Sequence, residues 1–177
     1  MSTIQKFCYS AIFIAFGVIT SQLIYVPVGF AKAFPVQHIV NVLSAIILGP
    51  GYAVLNAFCI SLIRNIFGGG TLFAFPGSMI GAFIAGMVYL KTKKYWLSAV
   101  GEVFGTGILG ALASFPIAKF IYGQQVVATF YIVPFLVSTS IGSLIAYVMI
   151  KLLSTNPALT RIIGGKKNEN STNDSRF

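Results

Sequence analysis

Residues 35–67 read PVQHIVNVLSAIILGPGYAVLNAFCISLIRNIF. Two apolar runs meet at Gly49-Pro50-Gly51, and the only formally charged side chain in the stretch is Arg64. Proline lacks the N–H that a helix interior needs but suits a first helical turn. The tripeptide therefore closes one helix and opens the next. The first, span 2, runs from Pro35 to Leu48, and span 3 from about Gly51 to Phe67. At about 1.5 Å per residue, span 2 is too short to cross about 30 Å of hydrocarbon alone. Part of the preceding loop, VPVGFAKAFP (26–35), must fold back into the protein.

Composition places these helices in a bilayer. The 177-residue chain is 56% hydrophobic and only 8% charged, with a mean hydropathy of +0.87. Soluble domains carry about 25% charged residues. A chain this poor in charge cannot cover a water-facing surface, so it reads as a multi-pass protein of the cell membrane. Spans of about 20 residues leave room for five or six helices and none for a soluble catalytic domain. The net charge of +9 gathers in KTKK (91–94) and in the tail beyond Lys151. No basic stripe interleaves with stacking aromatics, so nucleic acid is not an expected partner. Cys8 and Cys59 offer neither metal spacing nor a disulfide framework, and both read as small packing residues. One lysine precedes the first apolar run and no A-x-A-like site closes it, so it is expected to stay as span 1.

The remaining boundaries follow from proline, glycine and charge. Span 1 covers about Cys8 to Val26, span 4 about Pro76 to Leu90, span 5 about Tyr95 to Ile121, and span 6 about Ala128 to Leu153. Span 5 is long enough to tilt or to break at Pro116. The expected fold is an all-α integral membrane protein, a compact bundle of six transmembrane helices over residues 1–153. Residues 154–177 form a polar cytoplasmic tail expected to be disordered. An even span number puts both termini on one side, with Lys6, KTKK and the tail; Lys32, Lys119 and Arg64 fall on the other. The positive-inside rule then gives N-in/C-in, with the loops near 27–36, 68–76 and 121–128 outside.

Polar residues inside spans mark candidate function. Glu102 is the only acid before the tail, and Ser98, Glu102 and Thr106 share one helix face. The carboxyl reads either as a structural hydrogen-bond partner between helices or as a ligand contact. Arg64 sits within a turn of the end of span 3, next to Asn65 and the Gly68-Gly69-Gly70 loop. It can snorkel to the interface or form a pocket rim. Gln37, Asn41 and Ser44 form a row at the mouth of span 2, with His38 beside them. They suit a polar heterocycle, or equally the joining of helices. A lone histidine is no metal site. The triple glycine lacks the Gly-Lys-Ser/Thr ending and preceding strand of a phosphate loop. No Walker element occurs, so any ATP-driven step needs an ATPase on another subunit. Small residues recur at fourfold spacing: Gly77, Gly81 and Ala85; Ser78, Ala82 and Gly86; Ser138, Gly142 and Ala146; and Ala11 with Ala15. Such rows let helices approach closely.

The blocks FPVQHIVNVL (34–43), ILGPGYAV (47–54), SLIRNIFGGGTLFAFPGSMIGA (61–82) and GEVFGTGILGALASFPIA (101–118) resemble the ThiW group. These are S components of energy-coupling-factor (ECF) vitamin transporters, assigned to uptake of the thiazole moiety of thiamine, hydroxyethylthiazole. The resemblance covers about residues 8–153 and implies a substrate-binding subunit, not an enzyme. The loop between spans 1 and 2 would be a lid over an outward-facing pocket. A transmembrane coupling subunit would dock on the motif that Ala11 and Ala15 match, and two ATPase subunits would consume ATP; the chain itself would need no cofactor or metal. By the same similarity, Gln37, His38, Asn41, Arg64, Asn65, Glu102 and Thr106 are substrate-binding candidates.

A thiazole needs a donor for its ring nitrogen, a partner for its hydroxyl and apolar walls. His38, Asn41 or Arg64 can donate, Glu102 can accept, and Phe73, Phe75 and Tyr131 are expected walls. The same chemistry fits thiamine, a pyrimidine or another small vitamin. Two readings from other classes stand beside it. A stand-alone channel or secondary transporter needs a polar path across the bilayer, and usually an internal repeat. An intramembrane enzyme would use Glu102 and His38 as acid and base.

Overall fold

The computed structural model describes residues 1–28 and 31–155, so the expected tail beyond 155 lies outside the described residues. The order is α1 (Thr3–Leu23), β1 (Val26–Val28), β2 (Ala31–Ala33), α2 (Pro35–Ile47), α3 (Pro50–Ile66) and α4 (Ala74–Thr92). A continuous helical run follows: α5 (Tyr95–Phe104), a π-helical segment π1 (Gly105–Gly110), α6 (Ala111–Pro116) and a second, π2 (Ile117–Ile121). Helix α7 (Ile132–Leu153) ends the described fold. The protein is helical, and among the described residues four runs are long and apolar enough to cross a membrane: Thr3–Ser21, Ala74–Thr92, Tyr95–Ile121 and Ile132–Leu153.

Each boundary has a local cause. Ser2 opens α1 with a capping box, its hydroxyl accepting from the Gln5 N–H while the Gln5 side chain accepts from the Ser2 N–H. Pro35 and Pro50 occupy the first turns of α2 and α3. Gly49 turns between them at φ +91°, a conformation that costs a side-chain-bearing residue. Helix α4 starts two residues before the expected Pro76. Pro116 does not break its run: the chain passes through it, with wide π turns before and after. A π turn carries one extra residue and re-aims the side chains around it without ending the helix.

The short α2 is the centre of the bundle. Every residue from Pro35 to Ile46 is buried, and α1, α3, α4, α5 and α7 all pack on it. The rows of small residues are its contact surfaces. Ala82 of α4 packs with Ala45 of α2 and with Ala53 and Ala57 of α3. The other α4 row meets the long run: a methyl on Gly110 would come within 2.6 Å of the Gly77 Cα. On α7, Gly142 lies against α2, where a methyl would approach the Pro35 carbonyl oxygen to 2.3 Å.

The loop before α2 folds back as expected, but as an antiparallel hairpin, with Val26 opposite Ala33 and Pro27 opposite Lys32. It packs against α7. Helix α1 is peripheral, with only 11% of its apolar window buried. Cys8 on it is exposed, which corrects its reading as a packing residue; the α1 face there has no neighbour in the bundle.

Candidate ligand cavity

A cavity of about 510 Å³ opens at one end of the bundle. Its lining comes from the hairpin, the mouth of α2, the end of α3, the loop at 68–71, the start of α4, π1, Gln124 and the start of α7. The three loops expected on one side of the membrane thus converge on one site. The volume falls within the range of about 300–1,000 Å³ typical of small-molecule sites.

Arg64 turns inward rather than snorkelling, with only 1% of its surface exposed. Its guanidinium donates to the Gln37 side-chain oxygen and, at 3.2 Å, to the Gly69 carbonyl. It also lies over the Phe34 ring, 4.0 Å from the centroid. Gln37 is held in turn, its amide donating to Ser61 Oγ at 2.8 Å. This chain ties α2, α3 and the glycine loop together at the cavity wall.

The three glycines now have separate reasons. Gly68 takes φ +72°. Its N–H bonds the Asn65 carbonyl, and the Gly69 N–H bonds the Arg64 carbonyl at 2.9 Å. That pair is a Schellman C-cap, which favours glycine at the left-handed position. Gly69 gives its carbonyl to the Arg64 side chain. Gly70 passes so near Asn65 that a methyl there would lie 2.8 Å from Nδ2. Asn65 itself does not line the cavity: it braces the loop by donating to the Ser61 and Thr71 carbonyls.

A second polar cluster sits behind the floor. Glu102 is fully buried. Its Oε1 accepts from Asn41 Nδ2 at 2.9 Å and from Thr106 Oγ1 at 3.0 Å, and it lies 2.9 Å from His38 Nδ1. Because that oxygen is an acceptor in the first two bonds, the third is best met by a proton on Nδ1. His38 and Thr106 line the cavity, whereas Glu102 and Asn41 do not. The other hydrogen of the Asn41 amide goes to the Ser78 carbonyl at 3.1 Å. Both hydrogens of the Asn41 amide are thus engaged within the bundle, and the Glu102 carboxylate contacts the cavity-lining His38 through Nδ1. Gly81 makes room for the cluster, since a methyl there would lie 2.0 Å from Thr106 Oγ1.

The walls are aromatic. Phe73 packs on Tyr131 and Tyr122 with centroids 4.6 and 5.1 Å apart, and Tyr131 donates to the Gln124 side chain. Phe75 is no wall. It points to Phe58 of α3, at 5.7 Å, because α4 already starts at Ala74. Phe34, Phe135, Gln124 and Ser138 also line the site but were not among the expected residues. Ser138 lies in a recognisable small-residue row, and its hydroxyl accepts the Phe34 N–H at 2.9 Å. Beneath the polar floor, Ile39, Val42, Leu43, Ile46, Ala146 and Ile150 form a continuous apolar core.

Over residues 7–156 the sequence matches the family described as thiamine-precursor transporter protein (ThiW). The chain belongs to the ThiW family. No curated protein and no solved structure matches it. Membership makes it a multi-pass membrane protein of thiamine-precursor transport, and a transporter family implies a role other than catalysis.

Proposed function

We propose that this ThiW-family chain is the substrate-binding S component of an ECF importer. It captures hydroxyethylthiazole from outside and delivers it inward when joined to a transmembrane coupling subunit and two ATPase subunits. The observation that carries the reading is the one-ended cavity: a polar, aromatic-walled site above a mainly apolar core. A channel or self-sufficient carrier needs a polar route onward, and beneath His38 the core is mainly apolar, its buried Asn56 and Ser44 bonded to each other. In the His38–Glu102 contact the carboxyl is enclosed behind the floor, which suits ligand positioning better than acid–base chemistry.

The six helical runs are assigned as spans with both termini inside. Lys6 lies over the ring of Tyr52, at the start of α3, and Lys93 over that of Tyr89, near the end of α4. Both belong to the bundle end away from the cavity, and a basic end facing the cytoplasm supports this orientation. In the site, Arg64 and His38 bond the polar atoms of the ligand, Gln37 and Thr106 fix their positions, and Phe34, Phe73 and Tyr131 enclose the ring. The exposed Ala11 and Ala15 offer the docking surface for the coupling subunit.

Calorimetric titration of the purified chain with hydroxyethylthiazole, hydroxymethylpyrimidine and thiamine tests the ligand. Uptake with and without the partner subunits tests the coupling. The proposal expects selective thiazole binding by the chain alone and uptake only with the partners. Uptake without them would overturn the S-component role, and preference for the pyrimidine or thiamine would reassign the ligand.

A further inference from the structure

We infer that the Arg64 end of the cavity is an oxyanion subsite, and that the transported molecule is a small heteroaromatic bearing a phosphate or carboxylate group. The inference rests on the transport reading and replaces its neutral alcohol with an anionic relative as the preferred ligand. A guanidinium has five donor hydrogens. The two bonds formed by Arg64 go to neutral oxygens, of Gln37 and Gly69, and its Nε has no partner. Its third neighbour, the Phe34 ring, accepts no N–H in a directed bond but stacks on the cation.

No carboxylate among the described residues pairs with this charge. Glu102 is the only acidic residue among the described residues, and its bonded oxygen is taken by His38, Asn41 and Thr106. The residue is 1% exposed and lines the cavity. A buried charge without a counter-charge is costly, and a guanidinium fork matches the geometry of carboxylates and phosphates. A purely structural tie between Gln37 and Gly69 would need only a neutral amide. A cation held at the wall of a cavity, with donors to spare, is suited to an anion entering that cavity. The anion can belong to the ligand itself or be a free ion bound beside a neutral ligand.

The test uses the full purified chain in nanodiscs at low salt. The probes are hydroxyethylthiazole, its phosphate monoester, the analogue with a carboxymethyl group in place of hydroxyethyl, and inorganic phosphate. The anionic thiazoles are expected to bind at least about tenfold tighter than the alcohol, as charge-assisted bonds are roughly twice as strong as neutral ones. Inorganic phosphate is expected to compete with them, and Arg64→Gln to abolish the preference. Should that variant fail to show a cooperative thermal transition, selectivity and phosphate competition in the unaltered chain decide. Equal binding of alcohol and anions, with no effect of phosphate, overturns the subsite and leaves thiazole transport standing. Phosphate that strengthens binding of the alcohol assigns the subsite to a free ion and overturns the anionic substrate class. Binding of none of the thiazoles removes both the inference and the thiazole reading.

Discussion

Glu102 does not line the cavity but contacts a residue that does, His38. Its burial behind the floor means that substitution acts through the His38 ring. Glu102→Gln keeps a side-chain oxygen for Asn41 and Thr106 but offers a weaker acceptor to Nδ1–H, which frees the tautomer. His38→Ala removes the ring altogether. Each substitution is expected to weaken ligand binding by about tenfold or more, the loss of one charge-assisted bond of roughly 1.5–3 kcal/mol. In the His38→Ala background, Glu102→Gln should add little further loss. A double-mutant cycle by calorimetry checks this, because residues acting through one contact couple by about 0.5–3 kcal/mol. Fully additive losses would show that Glu102 reaches the ligand by another route. At the same scale, Gly68→Ala should lower the thermal unfolding midpoint. A side chain in the left-handed region costs about 1–2 kcal/mol, and the Schellman cap that aims Gly69 at Arg64 depends on it.

Among the elements, α4 was the most readable, because fourfold small-residue spacing states which faces approach another backbone. The rows of Gly77 and of Ser78 do meet two different neighbours. The short α2 is equally plain from Pro35 and the Gly-Pro-Gly turn, and its burial from Pro35 to Ile46 shows how so short a helix is held within the bundle. Arg64, Gln37, His38 and Thr106, which line the cavity, stand out in the sequence because polar side chains in so apolar a chain must point inward. The rest lacked a signal of that kind. Strands of three residues have no alternation to detect, so the hairpin read as a loop. The π segments depend on which carbonyl each N–H selects, and a Gly-rich GTGILG run permits either choice. Phe73 and Phe75 differ only in where α4 begins, a boundary shifted by two residues. Phe34 looks like one more apolar residue until Arg64 lies over it. Packing at α7 gives the matching prediction. Gly142→Ala would drive a methyl into the Pro35 backbone, which cannot swing aside as a side-chain tip can. The variant should lose about 1–3 kcal/mol of stability in a thermal or denaturant melt, the usual cost of overpacking. It should also weaken binding, since Pro35 starts the helix that carries Gln37 and His38.

Across the whole molecule, the proposed binding and coupling sites occupy different places. The cavity lies at one end, where Ser21 on the last turns of α1 reaches its lining. Ala11 is ten residues earlier on the same helix, about 15 Å along its axis at 1.5 Å per residue. Around it Ile12, Phe16 and Ile19 are 62%, 44% and 61% exposed, so nothing among the described residues fills this face. A bilayer accepts such a face, and so does a partner helix that the small Ala11 and Ala15 let approach. The two occupants make opposite predictions for Ala11→Trp. The indole points away from the bundle, so the fold and the thiazole affinity of the purified chain should match the unaltered protein. If a coupling subunit uses this face, uptake in the assembled system should be abolished and co-purification of that subunit lost, because a large ring blocks close helix contact. If only lipid lies there, uptake and co-purification stay normal and the docking assignment of Ala11 and Ala15 fails. Loss of binding together with uptake would mean instead that α1 transmits the substitution to the cavity through Ser21, and that the two functions are not separated along the helix.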